Sequence, residues 1–371
     1  MIEQFINQIK KDLKIAIYGA GFAGVGLKKY IETYRKDLKI MFFVDAYKKG
    51  DVDGVSIIDF KDIELVKNDI DVIICATRRG AHEIVAIFNY LNIPYLLISH
   101  DIQQYFRNEE LFLKQEETSK IFKYDEDKNL YDLVWQGRMF SSFKKIAEYV
   151  SQKHNIGHIG LDRNYERHYM EFINKDAIKT VIDGGYCNGI HSLSFKKNFK
   201  NLKKVYAFEP MYQEFKNEFF DKLICEANFC EIINKGLWEF DKEFIFARNI
   251  KAPGASRIID DISKLRKDEV VETINTTSID KFKTDKNIEK VDLIKMDIEG
   301  AELPALKGAM QTITKDRPQL TISIYHSSDD YITIPKYLNE NLKDYEFRLG
   351  HYSADMCETV LYAIPNELLT K

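Results

Sequence analysis

A chain of 371 residues is long enough for two domains of ordinary size. Its 45% apolar and 30% charged residues suit a globular protein, and a net charge of −4 without a dense basic run leaves no footprint for nucleic acid. The opening MIEQFINQIKKDLK lacks the apolar core of a signal peptide, and no stretch reaches the roughly 18 apolar residues of a membrane span. The five cysteines (Cys75, Cys187, Cys225, Cys230, Cys357) are scattered and form no CxxC pair. That excludes a zinc ribbon and a disulfide framework and predicts a reduced, cytoplasmic protein.

The first block alternates strand and helix. KIAIYG (14–19), IMFFVD (40–45), DVIICAT (71–77) and PYLLIS (94–99) read as short buried strands. GVGLKKYIETYRK (24–36) reads as a helix, and AHEIVAIFNYL (81–91) as a second with an apolar stripe at Ile84, Ile87, Phe88 and Leu91. Such alternation predicts a small Rossmann-like parallel sheet over residues 1–105. Gly19, Gly21 and Gly24 fit GxGxxG between strand and helix, and Asp45 closes the next strand 21 residues beyond Gly24. Glycines there let a phosphate reach the backbone, and the acid suits ribose hydroxyls. The pattern points to a nucleotide or nucleotide-sugar ligand. It also carries an alternative function, an oxidoreductase using NAD or a nucleotide-sugar, although no acid or base for hydride transfer accompanies it.

Residues 106–165 are charged and predict a helical connector, within which LVWQGRMFSSF (133–143) predicts packing side chains. A second α/β block spans 166–371 and opens with a predicted helix at RHYMEFINK (167–175). Strands follow at TVIDGG (180–185), KVYAFEP (204–210), FCEIINKGL (229–237), DLIKMDIEG (292–300) and QLTISIYH (319–326). The last pair, YEFRLGHY (345–352) and ETVLYAIP (358–365), is joined by a short polar turn, which only antiparallel neighbours permit. Five crossover strands ending in a hairpin outline the seven-stranded sheet of a class I methyltransferase.

The chemistry gathers at strand ends in this block. Asp183 ends its strand, Gly185 and Gly189 keep the next loop bare, and Glu209 ends the following strand 20 residues beyond Gly189. A carboxylate accepts two hydrogen bonds side by side, which suits a vicinal diol. Two acids around a glycine loop repel phosphate and favour a cationic ligand such as S-adenosylmethionine, with Asp183 towards its amino end. Further on, Asp297 and Glu299 stand two apart at a strand end, followed by a helix with Leu303, Leu306, Met310 and Ile313 as its buried stripe. His326 ends the next strand, and His351 lies near the end of another. A hydroxyl needs a base as it takes a methyl group. His326 fits that task with Asp297 or Glu299 orienting it, and the same three residues also suit a divalent ion that activates the hydroxyl.

Residues 165–365 resemble the FkbM-type methyltransferases. The matching stretches are VIDGGYCNG, VYAFEP, TTSIDKF, DLIKMDIEGAELPALKGA, RPQLTISIYH and HYSADMCETVLYAIP, in the family's order. The resemblance implies S-adenosylmethionine-dependent O-methylation, commonly of sugar hydroxyls, with cofactor contacts at Asp183, Gly185 and Glu209 and active-site roles for Asp297, Glu299 and His326. The chain departs from the family at Tyr186 and Cys187 and at Gly350, where a basic residue is expected before His351. Arg348 or Arg257 would then grip substrate. The front domain resembles, more loosely, the sugar-nucleotide-binding modules ahead of bacterial glycan-modifying enzymes, on IYGAGFAG, FFVD and DGVSII.

Overall fold

The computed structural model describes residues 9–76, 81–97, 114–140, 144–154, 167–215, 228–251, 256–259, 261–265 and 268–369. The chain divides into two compact units, residues 1–115 with 133–145, and residues 116–132 with 146–371. The helices α3 (Asp125–Phe140) and α4 (Lys144–His154) are therefore divided between the units. Val134 and Trp135, from the stretch expected to pack, are buried.

The first unit holds a six-stranded sheet of β1 (Lys14–Tyr18), β2 (Lys39–Asp45), β3 (Asp51–Val52), β4 (Val55–Asp59), β5 (Val72–Cys75) and β6 (Tyr95–Leu97), in the order β3-β4-β2-β1-β5-β6. All pairs are parallel except the β3–β4 hairpin. Helices α1 (Phe22–Tyr34) and α2 (Ala81–Leu91) belong to this unit. Ala16, Phe42 and Ile73 meet Ile84 and Phe88 of α2 in one core cluster. Ile87, expected in the same stripe, is exposed instead. The hairpin adds two strands that hydrophobic pattern alone missed. Its turn places Asp53 and Gly54 at φ 48° and 82°, the conformation that an Asp-Gly pair favours. Residues 98 and 99 of the fourth expected strand lie outside the described residues.

The second unit is built on β7 (Thr180–Gly184), β8 (Lys204–Phe208), β9 (Cys230–Ile233), β14 (Leu293–Met296), β15 (Gln319–Ser323), β16 (Tyr345–His351) and β17 (Thr359–Pro365). Their order is β16-β17-β15-β14-β7-β8-β9, with the five crossover strands parallel and β17 inserted antiparallel between β15 and β16. This is the seven-stranded architecture the sequence outlines. Helices α5 (Ile190–Asn198), α6 (Ile279–Asp285), α7 (Glu302–Lys307), α8 (Met310–Asp316) and α9 (Asp330–Asn341) belong to it.

Three expectations are corrected here. The run 229–237 is two strands, because β10 (Gly236–Leu237) leaves β9 to join a separate four-stranded sheet with β11 (Glu243–Asn249), β12 (Arg257–Ile259) and β13 (Glu269–Thr277). The helix expected from 302 onwards is two, α7 and α8, because the backbone at Gly308 lies against the Trp238 carbonyl, 2.4 Å from where a Cβ would stand. The helix expected at 167–175 is a series of turns and bends ending in a short 3-10 segment, with Tyr169 at φ 63°. That turn sends the Tyr169 ring into the core and its hydroxyl to the end of β14.

Candidate active site

The carboxyl ends of β7, β8, β14 and β15 carry the candidate residues. Asp183 lies opposite Lys295 in the β7–β14 register, and both side chains are out of contact with solvent. Lys295 Nζ stands 3.0 Å from Asp183 Oδ1 and donates to the carbonyls of Gly184 and Gly185 at 2.9 and 2.8 Å. Ser192 Oγ donates to Asp183 Oδ2 at 2.7 Å. Burial works against the Lys295 charge, but Asp183 and Asp297 outweigh it and hold the pKa above its ordinary value. The Asp183 carboxylate is thus turned into the fold, where it braces the loop from beneath.

The loop that follows has three left-handed residues, Gly185 (φ 80°), Cys187 (φ 51°) and Gly189 (φ 78°). A Cβ on Gly185 would stand 1.9 Å from the Asp297 carbonyl oxygen, so glycine is required for β7 and β14 to end side by side. Tyr186, a departure from the family pattern, is a core residue packed near Tyr212. Glu209 accepts the backbone N–H of Cys187 at 3.0 Å and of Met211 at 3.1 Å, one on each oxygen. Burial raises its pKa against the pull of those two donors.

The second half of the site is a carboxylate cluster on a histidine. His326 Nε2 lies 3.1 Å from Asp297 Oδ1 and 3.7 Å from Glu299 Oε1, and Nδ1 lies 2.9 Å from Glu302 Oε1. Asp297 also accepts Tyr325 Oη at 3.0 Å on Oδ1 and Tyr169 Oη at 2.8 Å on Oδ2. Glu302, absent from the expected set, accepts the Ile298 and Gly300 N–H at 2.8 and 2.9 Å.

This geometry bears on the charge of His326. Carboxylate oxygens close to both nitrogens favour the protonated ring, an imidazolium with no lone pair for a proton. Burial opposes the charge, but Glu302 and Asp297 outweigh it and hold His326 well above its ordinary value. Burial likewise works against ionised Asp297, and the His326 contact reverses it, holding that carboxyl well below the usual range. Glu299 differs. Burial, with Asp297 and Glu302 adding to it and His326 opposing, pushes it up to about 7. Its side chain is 33% exposed. Asp297, Glu302 and His326 each bring one ligand atom within 4.8 Å of the others, close enough for a cation. The two carboxylates already accept two phenols and two backbone amides, and a protonated His326 offers no lone pair, so the donor set in this protonation state does not fit a resident metal.

The other sequence candidates lie elsewhere or are occupied. His351 is fully buried, with Nδ1 on Thr359 Oγ1 at 2.8 Å and Nε2 on the Asp355 carbonyl at 2.9 Å, so it staples its own hairpin. Arg257 sits on the four-stranded sheet and binds Glu269 at 3.2 Å and the Lys264 carbonyl at 3.0 Å. Arg348 Nε donates to Asp127 at 2.6 Å. In the first unit, Asp45 ties the glycine loop to its own turn, accepting N–H groups of Ala20, Tyr47 and Lys48 at 2.8, 2.8 and 2.9 Å. Of its glycines, Gly24 is demanded by packing, 1.9 Å from the Gly19 carbonyl at its would-be Cβ, whereas a Cβ on Gly21 meets nothing within 4 Å. Among the described residues no helix is long and apolar enough to cross a membrane.

Comparison with known proteins agrees with this architecture. Residues 183–349 match the family described as the methyltransferase FkbM domain. The structure is similar to that of a methyltransferase FkbM from Methylobacillus flagellatus, at 19% identity over 98% of this chain and 92% of that one, with a TM-score of 0.51. It also aligns with an rRNA methylase from Streptococcus thermophilus, at 14% identity over 53% of this chain and 91% of that one, TM-score 0.31. A methyltransferase from Geobacter sulfurreducens aligns at 11% identity over 60% and 89%, TM-score 0.32. No curated protein sequence matches the chain.

Proposed function

We propose that the chain, whose residues 183–349 match the methyltransferase FkbM domain, is a methyltransferase that acts on a hydroxyl of a carbohydrate. The cofactor such enzymes imply, S-adenosylmethionine, supplies a methyl group made electrophilic by its sulfonium. The residues of the β7 loop and β8 fit it. Each Glu209 oxygen accepts one backbone N–H and keeps capacity for a ribose hydroxyl. Gly185 and Gly189 present bare peptide beside it.

One observation carries the reading: the glycine loop and the carboxylate cluster share one edge, with Asp297 N donating to the Gly184 carbonyl at 3.1 Å. A methyl donor held by the first half therefore ends beside the second. Glu299 is the acid there whose protonation is poised near neutrality, as a general base requires. His326, held as a cation, keeps Asp297 ionised and orders the strand ends. Three acids around one histidine repel phosphate or uronate next to the reacting atom, which favours a neutral sugar hydroxyl over an anionic acceptor.

Calorimetry with S-adenosylhomocysteine and a transfer assay over neutral glycosides, uronates and RNA test the proposal. Micromolar binding, weakened roughly 10- to 100-fold by Glu209→Ala, and transfer confined to neutral glycosides are expected. Transfer to RNA alone would overturn the carbohydrate assignment.

A further inference from the structure

We infer that Glu302 is a positioning residue of this site, its carboxylate bridging the N–H groups of the residues on either side of Glu299 and so fixing the turn that presents Glu299 to the acceptor. The inference rests on the reading of Glu299 as proton acceptor. Three observations meet in it. Glu302 Oε1 accepts Ile298 N–H and Oε2 accepts Gly300 N–H, so the two oxygens straddle residue 299. Glu299 and Gly300 are both left-handed, at φ 57° and 95°. A non-glycine residue keeps that conformation only where its surroundings over-determine it. The same Oε1 faces His326 Nδ1 at 2.9 Å, and the Glu302 side chain is wholly buried.

A carboxylate is the group this bridge needs. It offers two acceptors in one plane, set for two peptide N–H groups, and a negative charge for the imidazolium. The amide of a glutamine would turn an N–H₂ towards one of the two N–H donors and lose that arm. The turn at 299–300 would then relax towards ordinary φ, moving the Glu299 side chain. The glycine loop and Glu209 lie on other strands and would be untouched.

The test compares full-length wild type, Glu299→Gln, Glu302→Gln and the double variant. The readouts are kcat on the best neutral glycoside acceptor at saturating S-adenosylmethionine, and S-adenosylhomocysteine affinity by calorimetry. Glu299→Gln is expected to lose about 10²-fold or more in kcat, and Glu302→Gln about 10- to 100-fold. Affinity for S-adenosylhomocysteine should stay within about threefold throughout, and the double variant should be within about twofold of Glu299→Gln. Gly300→Ala reaches the same turn independently, since a Cβ there meets nothing within 4 Å and only the left-handed backbone resists it. It should reproduce the kcat loss even if Glu302→Gln does not fold. A loss in the double variant equal to the product of the single losses, or unchanged kcat in Gly300→Ala, overturns the inference while Glu299 keeps its role. Unchanged kcat in Glu299→Gln instead overturns the base assignment itself.

Discussion

Gly185 and Asp297 are locked together: the space a Cβ would take on the first is filled by the carbonyl oxygen of the second, 1.9 Å away. The two strands that carry the glycine loop and the acid cluster can end flush only with glycine at 185. Gly185→Ala combines that overlap with a φ of 80°, and should cost several kcal/mol, on the order of 3. Urea denaturation measures it, and an unchanged midpoint would show that the strand ends separate freely.

Lys295 and Asp183 form a buried pair whose partners do not survive alone. Lys295→Met leaves an uncompensated carboxylate, with an expected loss of about 3–5 kcal/mol. Adding Asp183→Asn should restore part of that loss, which a double-mutant cycle reads directly.

The pH dependence follows from Glu299. Its proton acceptor is the ionised form, so kcat/KM should rise with pH through about 7. Glu299→Gln should abolish that limb. Because its folded pKa is raised from 4.5 to about 7, its stabilising contribution is present below the lower value and lost as pH rises through the upper. Glu299→Gln should therefore raise Tm at pH 8 relative to wild type and leave it nearly unchanged at acid pH. An equal shift at both would refute the assignment.

Tyr169→Phe removes a donor from ionised Asp297 and should destabilise by about 1.5–3 kcal/mol at neutral pH. Asp297 has a lowered folded pKa, so the stability its contacts confer exists above its unfolded value near 4 and fades as pH falls further. The difference between wild type and variant should shrink in strong acid when denaturation is followed across pH.

In the first unit, Gly24→Ala should lower Tm by several degrees, because its Cβ would collide with the Gly19 carbonyl. Gly21→Ala should leave Tm within about one degree, since φ is −85° and the surroundings are open. Equal effects would mean that the motif glycines serve a common structural purpose.

Much of this was legible in the sequence because it is local. The seven strands followed from apolar runs, and the terminal hairpin from a short turn between two of them. Asp297, Glu299 and His326 were found because acids and a histidine at strand ends are costly unless used. Lys295 was not, because a lysine inside LIKM reads as one polar interruption, and its partner is 112 positions earlier. Tyr169 was hidden in an apparent helix, its role created by a left-handed turn that no periodicity announces. Glu302 looked like an ordinary acid opening a helix. The charge held on His326 was hidden for a related reason: sequence shows which groups can meet, not that carboxylates will lie near both nitrogens. The β3–β4 hairpin was missed despite its Asp-Gly turn, because its strands are short and only half buried.

The insertion of β17 between β15 and β16 has a consequence for how the domain is made. β16 and β17 are near neighbours in sequence and can pair early, but β15 stays an open edge until that hairpin docks against it. His326 lies just beyond β15, and Tyr169 reaches Ser323 on it from 154 residues away. The reacting groups therefore come into register only when the longest loops have closed. During refolding, secondary structure should recover first and methyl transfer last, with the unpaired β15 edge as the interval's main aggregation hazard.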